Sequence, residues 1–322
     1  MNAASPRQLP RSMGRARLAA AAVLATALLA TGTTSAPEHA LARTPGVNGQ
    51  LAFDRDGGSA LFTINADGTN EQKLFDSQCC PGWSPDGNKI VTPAMTDDGR
   101  FSSATFDPDG SNFVVLPIDD PALTMGCEAW SPDGTRLLCT GAWLDGRAPI
   151  GVFTRRASDG GDIRRVTTNP YGSFDQPGDF SPDGSRIAFI RYNPGKKAER
   201  AVFVVNADGN GVRRITPWGM AGCCTASWSP DGRWILFDAR GHLYKVRSDG
   251  TGLREIPLNM GGRYWAYEPV WSPDGTKVAF SAWVRALGQD DIYTADADGS
   301  NVSQVTNTPE QEGQVDWGTY LP

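Results

Sequence analysis

Histidine is almost absent from this chain, whose 322 residues include only His39 and His242. A metal centre built on several histidines needs more than one imidazole in the folded domain. A Ser-His-Asp triad would have to use His242, and the chain has no Gly-x-Ser-x-Gly motif. We therefore interpret His242 as a surface or packing residue, and expect neither a catalytic residue of this kind nor a cofactor.

Basic residues are outnumbered by acidic ones, with 30 Lys and Arg against 36 Asp and Glu, which gives a net charge of −6. Binding to nucleic acid or to an anionic membrane surface requires a basic patch. The composition therefore predicts no nucleic-acid partner. It favours a protein or glycan as the binding partner.

Long hydrophobic runs are missing except for Leu18–Ala30, which follows four arginines. That run has the length of a signal-peptide core and is shorter than the roughly 20 residues of a membrane-spanning helix. Ala40-Leu41-Ala42 offers a cleavage site, and Ser35-Ala36 is a second candidate. We predict a signal peptide and processing region over residues 1–42, with an uncleaved anchor as the alternative. Cleavage after Ala42 would leave a monomer of net charge −9, without membrane insertion, in the periplasm, cell envelope or secreted fraction.

What the sequence does have is a repeated pentapeptide, Trp-Ser-Pro-Asp-Gly. Proline suits the second position of a type I turn, aspartate bonds nearby backbone N–H groups, and glycine accepts the left-handed conformation that follows. Each copy therefore predicts a hairpin. The aromatic residue recurs at intervals of 43 to 50 residues, at Trp83, Trp130, Phe180, Trp228 and Trp271.

A second turn signal, ending in Asp-Gly, recurs once between successive aromatics, as in Asn206-Ala207-Asp208-Gly209. Each unit then holds two hairpins and four strands, which is the pattern of a propeller blade. A sixth aromatic, Trp317, lacks downstream strands, and the strand near Leu51 lacks an upstream one. We predict an all-β, six-bladed propeller over residues 43–322, closed by the C-terminal strand in the N-terminal blade. The repeated aromatics are expected to pack between blades.

Six cysteines in an exported chain favour disulfides. If Ser131 pairs with Thr135 across the turn, counting outward places Cys127 opposite Cys139, within disulfide reach. The adjacent pairs Cys79-Cys80 and Cys223-Cys224 precede the second and fifth blades. They are interpreted as disulfides that stiffen loops near the channel. Partners for other chains and a soft-metal site are the alternatives.

The Asp-x-Asp-Gly segments at Asp107–Gly110 and Asp296–Gly299 resemble the start of a calcium loop. Position twelve of such a loop should be a bidentate glutamate, and here it is Ile118 or Asn307. These segments are therefore interpreted as turns, and no metal ligand is predicted from them.

Trp-Ser-Pro-Asp-Gly, an Ile-Ala-Phe-like strand, Asn-Ala-Asp-Gly and then Ile215-Thr216 or Val305-Thr306 together resemble the TolB-type β-propeller repeat. The resemblance covers about residues 47–320. It implies a periplasmic envelope-binding propeller, although the α/β domain that precedes the propeller in that family is not expected here. Similar repeats occur beside prolyl-oligopeptidase-type peptidases and in some polysaccharide lyases, so the fold does not fix the function.

The loops that join one blade to the next should gather around one end of the channel, where aromatics mix with carboxylates and amides. Such loops on a rigid scaffold are typical of binding surfaces. The predicted binding residues are Glu128, Tyr171, Asp175, Gln176, Trp218, Tyr264, Trp265, Tyr267 and Glu268.

Two functions follow from this sequence. The first is a non-enzymatic exported propeller that binds an envelope protein or glycan through this funnel. The second is a secreted polysaccharide hydrolase or lyase that uses Asp175, Glu128 and Glu268 as acid and base, which requires carboxylates about 5–9.5 Å apart. A purely structural envelope protein is a third hypothesis.

Overall fold

The computed structural model describes residues 46–196, 199–222 and 225–320. The predicted leader and Cys223-Cys224 lie outside the described residues. Within them, 24 strands form six antiparallel sheets of four strands each, so the predicted six-bladed propeller is confirmed. No helix in these ranges is long and apolar enough to cross a membrane.

Blade 1 combines the last strand of the chain with the first three, in the order β24-β1-β2-β3, and the other blades follow in chain order. The strands are β1 Val47–Arg55, β2 Ala60–Ile64, β3 Gln72–Asp76; β4 Gly82–Trp83, β5 Ile90–Met95, β6 Phe101–Phe106, β7 Val114–Leu116; β8 Leu123–Trp130, β9 Arg136–Trp143, β10 Gly151–Arg156, β11 Arg164–Arg165; β12 Asp175–Phe180, β13 Arg186–Tyr192, β14 Arg200–Asn206, β15 Arg213–Arg214; β16 Ala226–Trp228, β17 Trp234–Ala239, β18 His242–Arg247, β19 Arg254–Ile256; β20 Tyr264–Trp271, β21 Lys277–Val284, β22 Gln289–Asp296, β23 Ser303–Gln304; and β24 Glu312–Tyr320.

The Ser-Pro-Asp-Gly turns are built by the hydrogen bonds that their residues predict. In blade 3 the Gly134 N–H donates to Ser131 O at 2.8 Å, and Gly134 has φ of +70°. The Asp133 carboxylate accepts from the Ser131 hydroxyl at 2.6 Å and from the Thr135 N–H at 3.0 Å. The Ser131 N–H donates to Arg136 O, so the predicted pairing of Ser131 with Thr135 is wrong by one residue.

Cys127 nevertheless lies opposite Cys139, because a second irregularity cancels the first. Ala129 pairs with Leu138 and Cys127 with Cys139, which leaves Glu128 as an extra residue in a bulge. The structure joins Cys127 and Cys139 by a disulfide, and both residues are fully buried. The bulge also decides where the Glu128 side chain lies.

Ring closure occurs where the sequence predicted it. Leu51 of β1 pairs with Trp317 of β24, and the Trp317 indole donates to Gly49 O at 3.1 Å. Strand β24 also contacts β21 of blade 6 and β4 of blade 2, so the first and last units share one blade in a continuous ring.

The repeated aromatics pack in the hydrophobic clusters that fill the interfaces between blades. Trp228, Trp271 and Trp317 are between 3% and 8% exposed, and Phe180 is 5% exposed. Trp83 and Trp130 are half-buried and pack against neighbouring clusters. Their predicted role as core residues is confirmed, and the same residues line the central channel.

Candidate functional site

The propeller has two chemically different ends. The loop face consists of the connections between blades and the turns between the second and third strands of each blade. Backbone hydrogen bonds join these two kinds of segment, for example Ala266 N–H to Gly241 O at 2.9 Å and Leu144 N–H to Ala122 O at 2.7 Å. The turn face consists of the Ser-Pro-Asp-Gly turns and the second Asp-Gly turns.

A cavity of about 160 Å³ occupies the channel between the innermost strands. Its wall contains the six repeated aromatics and the prolines of the five Ser-Pro-Asp-Gly turns, so it reaches toward the turn face. The sequence placed the binding funnel at the other end, and of the nine predicted binding residues one, Glu128, lies in this wall. Other residues of this wall are Cys80, Pro177, Thr225 and Gln314.

Four carboxyl groups near the channel have raised pKa values because burial removes the water that would solvate their charge. The pKa rises to about 7 for Glu128 and Glu268 and to about 6 for Asp54 and Asp238. The negative charges of Asp54, Asp238 and Glu128 raise the pKa of Glu268 further, so Glu268 lies close enough to interact with each of them. This cluster of Asp54, Glu128, Asp238 and Glu268 is called the channel carboxylates below.

Three of these groups are held by backbone N–H groups of residues in the left-handed conformation. Cys80, Glu268 and Gln314 have φ of +56°, +53° and +50°. The Cys80 N–H donates to Asp54, the Glu268 N–H donates to Asp238, and the Gln314 N–H donates to Glu268 Oε2 at 2.8 Å. The Gln314 side-chain amide donates to the other Glu268 oxygen. Each carboxylate therefore links two neighbouring blades.

Sequence reasoning missed Asp54 and Asp238. Both follow a phenylalanine in the second strand of a blade, in Phe53-Asp54 and Phe237-Asp238, where an apolar or hydroxyl side chain stands in the other blades. A carboxylate in such a buried strand is rare unless it has a partner or a function. That signal was available in the sequence, but the proximity of the two aspartates to Glu128 and Glu268 was not.

Asp175 has a cation partner. Its carboxylate is fully buried and accepts from both Nε and Nη2 of Arg191, each at 2.6 Å. This bidentate pair occupies the oxygens that an acid or base would use, and Gln176 beside it is half-buried. Asp175 was grouped with Glu128 and Glu268 as a candidate acid or base, but in the structure both of its oxygens bond Arg191.

Aromatic side chains are exposed on the loop face. Tyr171 is 94% exposed in the connection that precedes β12, and Trp265 is 55% exposed near the start of β20. Trp265 lies directly opposite Trp283 of β21, which is 38% exposed, so two indoles form one patch. A Cβ on Gly241 would lie 2.6 Å from the Trp265 ring, so the indole rests against this turn.

The remaining predicted aromatics are half-buried and make internal contacts. Tyr267 donates from its hydroxyl to Asp290 Oδ1 at 2.9 Å, and burial together with that carboxylate raises the pKa of Tyr267. The Tyr264 ring lies 5.7 Å from the ring of His242. The Trp218 ring lies 5.7 Å from Phe203. These residues support the loop face rather than project from it.

One group of side chains has the composition of a metal site. The ligand atoms of Asp54, Cys79 and Cys80 lie within 4.8 Å of one another. The structure joins Cys79 to Cys80 as a vicinal disulfide. Cys80 lines the channel cavity, while Asp54 is 3% exposed.

Comparisons with known proteins place this architecture among TolB propellers. The chain is 30% identical over 128 residues to the Protein TolB homolog of Chlorobium luteolum, a match that covers 38% of this chain and 27% of that protein. It is 30% identical over 95 residues to the Tol-Pal system protein TolB of Anaeromyxobacter dehalogenans, covering 28% of this chain and 20% of that protein. The matches thus span about a quarter or less of these relatives. No family model matches the chain.

Among solved structures, TolB from Acinetobacter baumannii aligns with a TM-score of 0.64 and 16% identity, over 84% of this chain and 66% of that one. At that identity the alignment shows the fold alone. Together with the local sequence matches and the six observed blades, it shows that the chain has a TolB-like β-propeller fold.

Proposed function

We propose that this chain is an exported, non-enzymatic binding protein of the cell envelope, which holds a protein partner against its loop face. The observation that carries the proposal is the exposed indole patch of Trp265 and Trp283, with Tyr171 on the same face. Exposed aromatics on loops fixed by a rigid scaffold are typical anchors of protein interfaces.

The position of these aromatics supports binding rather than packing. The repeated aromatics stand at equivalent sites in every blade. Tyr171, in the connection before β12, and Trp265, at the start of β20, belong to segments whose sequences differ between blades. The turn face, by contrast, repeats the second Asp-Gly turn in all six blades and the Ser-Pro-Asp-Gly turn in blades 2 to 6. A surface that distinguishes one partner from another must carry residues that the repeat does not dictate.

The relatives support an envelope partner. One of them is named as a Tol-Pal system protein, and the predicted leader over residues 1–42 would deliver this chain to the same compartment. Because the matches span a small part of those relatives, we propose an envelope protein as the partner without carrying over any particular complex.

The polysaccharide hydrolase or lyase is the second candidate, favoured by the raised pKa values of Glu128 and Glu268. A carboxyl group with a pKa near 7 can serve as a general acid at neutral pH. The cavity beside Glu128, however, is about 160 Å³, whereas ligand pockets usually measure about 300–1,000 Å³. Glu268 also accepts two hydrogen bonds from Gln314. This geometry favours binding over glycoside cleavage.

The test is site-specific photo-crosslinking of the full-length protein in its own cells. A photoreactive amino acid replaces Tyr171 or Trp265 on the loop face. The matched control position is Val212, which is 39% exposed in the turn between β14 and β15 on the turn face. We expect a discrete protein adduct from 171 and 265 and none from 212. Changing both Trp265 and Trp283 to Ala should remove the adduct formed at 171 while thermal unfolding stays cooperative.

Adducts from position 212 alone would place the partner on the turn face and overturn the proposal. Absence of a protein adduct at all three positions would also overturn it. In that case turnover of envelope polysaccharides should be assayed with the wild type and Glu128→Gln, since loss of turnover in the variant would establish the enzyme. The N-terminus of the recovered protein reports on the predicted cleavage after Ala42.

A further inference from the structure

The geometry points to a redox-controlled metal site in the channel wall, in which reduction of the Cys79–Cys80 disulfide exposes two thiolates that bind a thiophilic divalent cation of the Zn²⁺ class together with the Asp54 carboxylate. This inference does not depend on the proposed partner at the loop face. It rests on three ligand atoms that converge from two different segments of the fold.

The ligands come from two segments that belong to neighbouring blades. Asp54 lies on β1, paired on both edges within blade 1, and its side chain is almost fully buried. The cysteines precede β4 of blade 2. Thr92 fixes their loop by donating from Oγ1 to Cys79 O at 2.5 Å, and the Cys80 N–H donates to Asp54. Cys80 makes this hydrogen bond to Asp54 with its backbone in the left-handed conformation. The carboxylate and the sulfurs therefore do not need a large rearrangement to meet a common ion.

The chemistry of the ligand set selects the kind of ion. Thiolate sulfur suits Zn²⁺ and similar thiophilic cations, whereas Mg²⁺ and Ca²⁺ prefer oxygen ligands throughout. Two sulfurs and one carboxylate oxygen leave the fourth tetrahedral position open. Because Cys80 lines the channel cavity, that position can take a water molecule, and the ion can enter through the cavity.

The switch follows from thiol–disulfide exchange. A dithiol reductant breaks the S–S bond, becomes a disulfide itself and leaves two protein thiols. A bound divalent cation then replaces the two thiol protons, which pass to solvent. In the oxidised protein both sulfurs are tied to each other and no thiolate is available. The same channel wall thus offers a metal site only under reducing conditions.

The other described disulfide is a natural contrast. Cys127 and Cys139 are fully buried in the core of blade 3, and they are register partners on adjacent strands. Among the described residues, the metal-ligand group consists of Asp54, Cys79 and Cys80, and it does not include Cys127 or Cys139. A mild reductant should therefore reach Cys79–Cys80 first.

The test uses the full chain with Cys223→Ser and Cys224→Ser, which removes the other vicinal pair. The protein is treated with a phosphine reductant, desalted without oxygen, and titrated with Zn²⁺ by calorimetry and with Cd²⁺ by its ultraviolet thiolate charge-transfer band. We expect one equivalent to bind the reduced protein and none to bind the oxidised protein. Asp54→Asn should weaken Zn²⁺ binding by about tenfold or more. Cys79→Ser should reduce the charge-transfer band at least by half.

The matched control is Asp238→Asn, which changes a buried channel carboxylate outside this ligand group and should leave the affinity unchanged. Equal binding by oxidised and reduced protein, or unchanged affinity in folded Asp54→Asn, would overturn the inference. If that variant unfolds, X-ray absorption of the Zn²⁺-loaded background protein decides. A shell with two sulfurs and oxygen supports the site, and a shell without sulfur overturns it.

Discussion

The carboxylates of the turn face and those of the channel are the same chemical group in opposite surroundings. Turn aspartates such as Asp133 and Asp208 recur at equivalent turns of other blades and accept hydrogen bonds from N–H or hydroxyl groups two residues away. The channel carboxylates occur in some blades and not others, and burial raises their pKa. The repeated turn aspartates stabilise the local fold. The channel carboxylates are present although burying a carboxylate costs solvation free energy, which makes them candidates for function.

Asp175 represents a third situation, since it is as buried as the channel carboxylates but has a cation partner in Arg191. Its comparison with them separates the effect of burial from the effect of pairing.

The largest effect on stability is expected when Asp175, the paired carboxylate, loses its partner Arg191. Arg191→Met keeps much of the side-chain volume over Phe189 and Phe203 but leaves Asp175 without its cation. Loss of one partner of a buried ion pair costs about 3–5 kcal/mol. We expect the free energy of unfolding, measured by urea denaturation at pH 7, to fall by this amount.

The double variant Asp175→Asn, Arg191→Met is the control, because it removes the charge as well as its partner. It should recover at least half of the lost stability. A cost below about 1 kcal/mol for Arg191→Met would mean that the pair contributes no more than a surface ion pair.

A pH-dependent effect is expected at Glu268. Burial raises its pKa to about 7 from an ordinary value of 4.5, so the folded state holds a proton that the unfolded state releases. The stability contributed by the protonated form is complete below pH 4.5 and is lost as the pH rises to 7. At about 1.36 kcal/mol per pKa unit, the loss is about 3 kcal/mol.

Glu268→Gln removes this titration while keeping an oxygen that can accept from Gln314. Relative to the wild type, the variant should gain up to about 3 kcal/mol between pH 4.5 and pH 8, with little difference at the lower pH. Unfolding curves of both proteins across this range provide the measurement. A constant difference between them at all pH values would show that Glu268 is not buried as a neutral acid.

The smallest effect is expected on the turn face. Asp133→Ala removes the hydrogen bonds from Ser131 and Thr135 and should cost about 1 kcal/mol. Partial burial works to raise the pKa of Asp133, but these hydrogen bonds outweigh it and the pKa is lowered. The stability that these hydrogen bonds contribute is therefore complete above the ordinary aspartate pKa and is lost as the pH falls through the lowered pKa of Asp133. This pH dependence is opposite in sign to that of Glu268. Asp208→Ala, at an exposed turn, is the comparison variant and should cost less; a larger cost would reverse the ranking of the two turns.

The order of strands and the closure of the ring were predictable because each blade repeats the same turn chemistry. Turn residues act within five positions of the chain, so their effect can be read locally. The register at Ser131 was wrong by one residue, and Cys127 still met Cys139 because of the bulge at Glu128. A bulge depends on how a strand packs against its neighbours, which a local pattern does not contain.

The candidate site was predicted less well for the same reason. The sequence identified Glu128 and Glu268, and the exposed Tyr171 and Trp265, from their loops and strand ends. It did not identify Asp54 or Asp238, nor the Arg191 partner of Asp175, because those relationships join segments that are distant along the chain.

Local turn patterns were enough to predict a closed ring of six four-stranded blades, because proline, aspartate and glycine impose their backbone conformations wherever they recur. No local pattern predicts which carboxylates share the channel, which has a cation partner, and which one lies beside the two adjacent cysteines. Those outcomes depend on distances between different blades and on the exclusion of water, and both arise only when the ring is closed.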